Sequence, residues 1–508
     1  MYAILVWVFV SLSFPLVLFA EKRVPLNSNE ISVSFAPVVK RAAPAVVNIY
    51  AKRLVNQSTS PFQNDPFFRR FFQNRINPQK RVQNSLGSGV ILTEDGYVVS
   101  NYHVVGNASE IRVVLNDRRQ FSASVALADK KNDLAILILE NAENMPFLPL
   151  RQDEAIEVGE LVLAVGNPFG VGQTVTSGII SGLARSGTAD GSGRGYYLQT
   201  DAAINPGNSG GALVDINGSL VGINTSILTR SGGSNGIGFA IPAAFVREFL
   251  RQAKSGVKEF EQPWLGVFGQ AITPEIADAL QLDGFDGMVI SALHEKSPLR
   301  LAGLSIGDVV VSVDNFAVNG PAEMLYRLTV AGLGSQSKFT VLTAGQNRDL
   351  WIQLTSAPND PISKLKRLPK TSPLRDLIVR IINPFVQQEM GLGLDAKGIV
   401  IVEPGPNGSR LGFRAGDIIE EINGVTIISA EQIAELRNDY PNVKFGQWFL
   451  DPLNKNGPDY ERNKHRILDK IDVMDGTFLT TCPSALDFLP KGNGVYYIPN
   501  PSDNSFET

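Results

Sequence analysis

The 508-residue chain has one cysteine, Cys482, and three histidines, His103, His294 and His465. A single thiol excludes an intrachain disulfide framework. So few sulfur and imidazole donors leave no zinc-binding constellation, and nothing in the sequence implies a cofactor. An excess of one charge sign is missing too: 46 Lys and Arg stand against 50 Asp and Glu, a net charge of −4. With a pI near 5.7, nucleic acid is not an expected partner, nor is broad attraction to anionic membranes. Charged residues make up 19% and hydrophobic residues 44%, the composition of a globular chain, and the length calls for roughly three domains.

Residues 1–20 are almost wholly apolar and are followed at once by Glu21-Lys22-Arg23. They read as a secretory signal with cleavage after Leu18-Phe19-Ala20, or as an uncleaved membrane anchor, since the run is nearly long enough to span a bilayer. Either reading places the body of the protein outside the cytoplasm, in a periplasm. Disulfides are permitted there but not obligatory.

Chemistry concentrates in Asn205-Pro206-Gly207-Asn208-Ser209-Gly210-Gly211. Glycines on both sides of one serine let the backbone turn tightly, so that amides near Ser209 can converge where its hydroxyl points, as an oxyanion hole requires. A serine hydroxyl needs a base to take its proton. His103 ends the β-branched run Val98-Val99-Ser100-Asn101-Tyr102-His103, where a strand can hold it; His294 and His465 have no such setting. The base needs an orienting carboxylate, and Asp133 stands just before the apolar Leu134-Ala135-Ile136-Leu137. The order His103, Asp133, Ser209 is that of chymotrypsin, not of subtilisin or the α/β-hydrolases.

Short apolar or alternating runs at 46–50, 89–92, 111–115, 135–139, 161–165 and 220–223, separated by Gly, Asn and Asp, predict an all-β barrel or sandwich. Residues 243–253, after Pro242, have helical spacing.

Together with Gly87-Ser88-Gly89-Val90, Ser100-Asn101-Tyr102-His103, Asn132-Asp133-Leu134-Ala135, Gly166-Asn167-Pro168-Phe169-Gly170 and Gly207-Asn208-Ser209-Gly210-Gly211, these features resemble the HtrA/DegP family of periplasmic serine proteases over about residues 36–439. The resemblance implies a mainly β protein: a chymotrypsin-like double β-barrel protease domain followed by two PDZ-like modules. It makes His103 the general base, Asp133 its orienter and Ser209 the nucleophile, and it puts the oxyanion hole at Gly207, Asn208 and Ser209. Thr225-Ser226-Ile227-Leu228-Thr229 would pair with substrate and help wall the specificity pocket. Ile204 and Ile237 are apolar candidates for the pocket lining, favouring a small apolar residue before the scissile bond by a modest margin.

Two insertions stay open in meaning. Phe62, Phe67, Phe68, Phe71 and Phe72 lie in a long polar loop, which either covers its own domain or packs on another subunit or the active site. The Gly-rich stretch 185–195 lacks a following Gly-Lys-Ser/Thr, so it is no phosphate cradle. By resemblance it is a sensor loop with Arg185 as its regulatory contact, and otherwise an ordinary surface loop.

The rest of the chain holds a repeat: the stretch from Ser297 to Val310, with Ala302-Gly303-Leu304-Ser305-Ile306-Gly307-Asp308-Val309-Val310, recurs from Gly408 to Ile419, with Leu411-Gly412-Phe413-Arg414-Ala415-Gly416-Asp417-Ile418-Ile419. Both copies resemble the PDZ module, which adds an extended peptide beside a strand and holds its terminal carboxylate on backbone amides. That turn is expected at Leu265-Gly266-Val267-Phe268-Gly269, after Trp264, in the first copy and at Met390-Gly391-Leu392-Gly393-Leu394 in the second. The expected division is signal or anchor 1–20, protease 21–253, linker 254–262, first PDZ 263–355, linker 356–373, second PDZ 374–445 with an uncertain closing strand, and a divergent tail 446–508. The expected function is an ATP-independent periplasmic endopeptidase acting on unfolded or misfolded polypeptides, homo-oligomeric and trimer-based by resemblance. A holdase or scaffold with little proteolysis is the alternative.

Overall fold

The computed structural model describes residues 34–55, 81–152, 155–167, 172–185, 196–205, 207–227, 235–282, 287–370, 372, 374–410, 412–422, 425–433 and short strands within 467–479. The leader, the phenylalanine-rich insertion and residues 186–195 lie outside them. Among the described residues no helix is long and apolar enough to cross a membrane.

After a short helix, α1 (Ala36–Ala42), six strands close a barrel: β1 (Val46–Val55), β2 (Arg81–Ile91), β3 (Tyr97–Ser100), β4 (Glu110–Val114), β5 (Gln120–Asp129) and β6 (Leu134–Leu139), in the order β1-β2-β3-β6-β5-β4. A second closed barrel follows, with β7 (Leu161–Gly166), β8 (Thr174–Arg185), β9 (Tyr197–Thr200), β10 (Ala212–Asp215), β11 (Leu220–Ile227) and β12 (Gly238–Pro242) in the order β10-β11-β12-β9-β8-β7. Strand side chains alternate between faces. In β6, Ala135, Leu137 and Leu139 therefore fill the first barrel while Leu134 and Ile136 join the cluster between the barrels. In β7, Val162 and Ala164 fill the second barrel while Leu163 and Val165 face that same shared cluster. Both faces being buried explains why these strands read as continuous apolar runs.

Helix α2 (Tyr102–Val105) follows β3, and α3 (Ala243–Ser255) follows β12. Helix α3 buries Phe245, Val246, Phe249, Leu250 and Ala253 in the inter-barrel cluster and stops at Gly256, whose φ is +81°. That left-handed cap suits a residue without a side chain.

The next unit holds β13 (Val267–Ala271), α4 (Pro274–Leu280), β14 (Met288–Leu293), α5 (Pro298–Leu301), β15 (Val309–Val313), β16 (Phe316–Ala317), α6 (Pro321–Ala331), β17 (Gln336–Thr343) and β18 (Gln346–Gln353). Its sheet runs β13-β14-β15-β17-β18, leaving β13 at an edge. The last unit repeats the pattern with β19 (Lys366–Arg367), β20 (Ile378–Ile381), α7 (Pro384–Met390), β21 (Ile399–Glu403), α8 (Gly405–Arg410) and β22 (Ile418–Ile419), joined in parallel by a short strand at Ile467–Leu468. Two expectations need correction here. The stretch read as a free linker to residue 373 contributes strand β19 to the last sheet. Met390-Gly391-Leu392 is no peptide-binding turn: Gly391, at φ +68°, ends α7.

Candidate active site

His103, Asp133 and Ser209 come from three separate connections and meet at the seam between the barrels. His103 lies in α2, directly after β3. Asp133 lies in the β5–β6 turn with φ +52°, a conformation Asp tolerates better than most residues. Its carbonyl accepts from Asn101 Nδ2 at 2.9 Å and from the Tyr102 amide at 3.2 Å. The His103 amide donates to Asp133 Oδ1 at 2.9 Å. The segment before His103 is thus wrapped around the aspartate it faces.

The imidazole Nδ1 lies 2.8 Å from Asp133 Oδ2 and 3.0 Å from Oδ1. A carboxylate on that side selects the tautomer with hydrogen on Nδ1 and leaves Nε2 as the basic nitrogen. Burial pulls the His103 pKa down, but the charge and hydrogen bond of Asp133 outweigh it and hold it above the ordinary value, against a smaller opposing effect of the Arg53 guanidinium. For Asp133 burial pushes upward, and the contacts from His103 and Thr225 win, keeping the carboxyl below its ordinary range.

Thr225, expected to pair with substrate and help wall the specificity pocket, also reaches the catalytic residues. Its Oγ1 donates to Asp133 Oδ2 at 2.7 Å, and its carbonyl accepts from Ser209 Oγ at 3.1 Å. It stands where the β11–β12 register shifts between Asn224 and Ser226, and such a bulge re-aims a side chain. The Ser209 hydroxyl is therefore held on the carbonyl of the residue whose own hydroxyl is bonded to Asp133.

The turn carrying Ser209 is clamped from the first barrel. Ser88, fully buried, donates from Oγ to the Gly207 carbonyl at 2.6 Å and accepts there from the Asn167 amide at 2.9 Å; its amide donates to the Ser209 carbonyl at 2.9 Å. Gly210 has φ +81°, and a Cβ there would lie 2.1 Å from the Ser88 carbonyl oxygen. Gly207 has φ +98°. Among the described residues the amides of Gly207 and Ser209 have no acceptor, whereas the Asn208 amide donates to the Asn205 carbonyl at 2.9 Å. Asn208 is thus corrected as an oxyanion donor: its N–H is already committed, and two amides remain for a developing negative charge.

Of the other expected site residues, Ile204 is buried in the second barrel with its side chain against Gly238, while Ile237 packs partly buried on the inter-barrel cluster. Ser226 and Ile227 lie in β11; Leu228 and Thr229 fall outside the described residues. Arg185 ends β8 opposite Tyr197. In the turn expected to bind peptide in the first copy, Leu265 is buried, and its carbonyl accepts from Ser297 Oγ at 2.6 Å. Gly266 has φ +56°, and Val267, Phe268 and Gly269 begin the edge strand β13. The sequence singled out neither Ser88 nor the Thr225 hydroxyl for these roles. The signal for Ser88 was a serine between two glycines in a strand.

Residues 87–223 match the family model described as Trypsin-like peptidase domain, and residues 398–437 match that described as PDZ domain. Over 427 residues the chain is 36% identical to the probable periplasmic serine endoprotease DegP-like of Halomonas elongata, spanning 80% of this chain and 88% of that one. It is 32% identical over 436 residues to the periplasmic serine endoprotease DegP of Escherichia coli, spanning 81% and 88%. The solved HtrA-type protease AlgW with decapeptide is 40% identical, with a TM-score of 0.48, and the match covers 64% of this chain and 99% of that one. The chain belongs to the DegP-like periplasmic serine endoproteases and is itself a serine endopeptidase.

Proposed function

We propose that the protein cleaves misfolded or mislocalised polypeptides in the periplasm, with Ser209 as nucleophile, His103 as general base, Asp133 as its orienter, and the Gly207 and Ser209 amides as the oxyanion hole. The observation that carries this reading is the partly buried Asp133 carboxylate on His103 Nδ1, linked through Thr225 to Ser209 and the two unpaired amides. In the reaction the Ser209 hydroxyl leaves the Thr225 carbonyl and turns to His103 Nε2. It loses its proton there as Oγ bonds to the scissile carbonyl carbon. His103 then gives that proton to the leaving amine, and water, deprotonated by the same imidazole, releases the acyl group. Charge on the carbonyl oxygen is met by the two amides.

The first PDZ-like unit, within 263–355, captures chain ends along β13. The protease body is 21–253, and the second unit opens at 366 instead of 374. A trimer-based homo-oligomer and the regulatory part of Arg185 follow from the family resemblance and belong to the same proposal. Casein digestion by the purified protein tests it: Ser209→Ala should lose on the order of 10⁴-fold or more in turnover while still binding unfolded protein. Undiminished cleavage by that variant would overturn the assignment, and a native protein that only binds would favour the holdase.

A further inference from the structure

The two C-terminal units differ at one edge. In the first, the strand pairing of β13 among the described residues is with β14, and β13 lies beside α6. In the second, the corresponding strand β20 pairs with β21 on one side and antiparallel with β19 on the other, Lys366 opposite Val379 and Arg367 opposite Ile378. The correspondence follows from the helices after each strand, which Pro274 and Pro384 open. Counting back equally from each proline sets Gly266 against Asp376.

We propose that the peptide groove of the second unit is filled in cis by residues 366–368, so that capture of substrate chain ends falls to the first unit alone. The segment meets each requirement of an added peptide strand. It runs antiparallel to β20, and the Leu368 amide donates to the Leu377 carbonyl at 2.9 Å. The Leu368 side chain is 1% exposed and packs with Leu377, Val379, Ile427, Ala430 and Ile433. Residues 430–433 are helical and carry Glu431, whose carboxylate receives the Lys366 ammonium. The segment is therefore gripped from the strand side by backbone pairing and from the helix side by an ion pair.

A free chain end is further disfavoured by the turn. Gly266 of the first unit has φ +56° and no side chain, whereas its counterpart Asp376, at φ +70°, puts a carboxylate on the turn that a terminal carboxylate would approach. Like charges there oppose binding. Instead of ending in a carboxylate, the cis segment continues past Leu368 through a turn closed by the Ser372 amide on the Pro369 carbonyl, 2.9 Å.

This inference rests on the proposed role of the first unit in substrate capture. The test uses the full chain with Ser209→Ala and a synthetic decapeptide ending in a free-carboxyl leucine, with its C-terminal amide as control. Hydrogen exchange should slow several-fold in residues 267–271 on adding the acid peptide and stay unchanged in 366–368. Faster exchange in 366–368 with slower exchange in 378–381 would mean that the peptide displaces β19. That outcome, or no change in either unit, overturns the proposal. In Leu368→Asp combined with Asp376→Gly, which removes the anchor and the opposing carboxylate together, binding should gain one peptide per chain. No gain in a variant that keeps its thermal transition would also overturn it. If the double substitution melts the second unit, the exchange data on the chain with native Leu368 and Asp376 decide. Casein cleavage by the Ser209 enzyme is measured separately, so loss of the protease reading is distinguishable from loss of this one.

Discussion

Ser88 does no covalent chemistry, yet its hydroxyl fixes the carbonyl of Gly207 and receives the amide of Asn167. Ser88→Ala leaves both groups unpaired at a buried site, and a lost hydrogen bond of this kind costs about 1–3 kcal/mol. Since the clamp sets where the oxyanion amides point, the loss should fall on kcat, roughly 10- to 100-fold, with KM little changed. Steady-state kinetics on a chromogenic peptide, with Ser88→Thr as partial rescue, checks this. Thr225→Val removes the hydroxyl from Asp133 and should lower kcat by about 10-fold or more for the same reason. As pH falls, activity should be lost when His103 protonates, because the neutral imidazole is the base. With its pKa held above the ordinary histidine value of about 6.5, the midpoint should lie above that value. Arg53, whose Nη2 donates to the His103 carbonyl at 3.1 Å, opposes protonation. Arg53→Gln should therefore move the midpoint further up, and a midpoint that moved down would contradict the assigned charge effect. Ser209, His103 and Asp133 were legible because serine, histidine and aspartate appear in a known order among glycines and strand runs. Thr225 was not legible in its full role: its partner is 92 positions away, and only the bulge in β11 turns the hydroxyl toward it.

At the scale of elements, long apolar strands are easy to read and short pairings are not. The runs in β6 and β7 announce strands, since both of their faces need apolar residues. Strand β19 is two residues long and carries Lys and Arg. Its local composition matches a linker, and only non-local pairing to β20 makes it a strand. A similar failure put the second peptide-binding turn at Gly391, because glycine serves a helix stop as readily as a groove. The turn holding Ser209 supplies a sharper test. Gly210→Ala places a Cβ against the Ser88 carbonyl and at a positive φ, so the barrels must part locally. Such strain costs about 1–3 kcal/mol or more. A lowered melting temperature together with lost activity is expected; full activity at unchanged stability would refute the close approach.

For the whole molecule, protease and first PDZ-like unit share a core. Tyr326 of α6 is 5% exposed and belongs to the same apolar cluster as Phe245 and Phe249. Its ring stacks on Tyr196 at 3.9 Å and 5°, just before β9, and the Arg327 guanidinium lies 4.1 Å from the Phe316 ring centre. Gln262 Nε2 donates to Thr329 Oγ1 at 3.2 Å. Domains joined by such a buried aromatic should unfold together. Calorimetry of the native chain should show these two units in one transition. Tyr326→Ala, at a cost of about 3–5 kcal/mol, should split it into two. Two transitions already present in the native chain would show that the shared cluster does not couple them.

The pairing of β19 also sets a leash. From the end of β18 at Gln353 to Lys366 the connection is residues 354–365, which at full extension would reach roughly 45 Å. Were β19 to peel away, the leash would run on to β20 and reach roughly 80 Å. The bonds of β19, with those of the Pro358 carbonyl to the Phe385 amide, the Pro361 carbonyl to Asn383 Nδ2 and the Ser363 hydroxyl to the Ile381 carbonyl, together shorten the leash, and their joint release would nearly double the radius the last unit can sweep around its own protease.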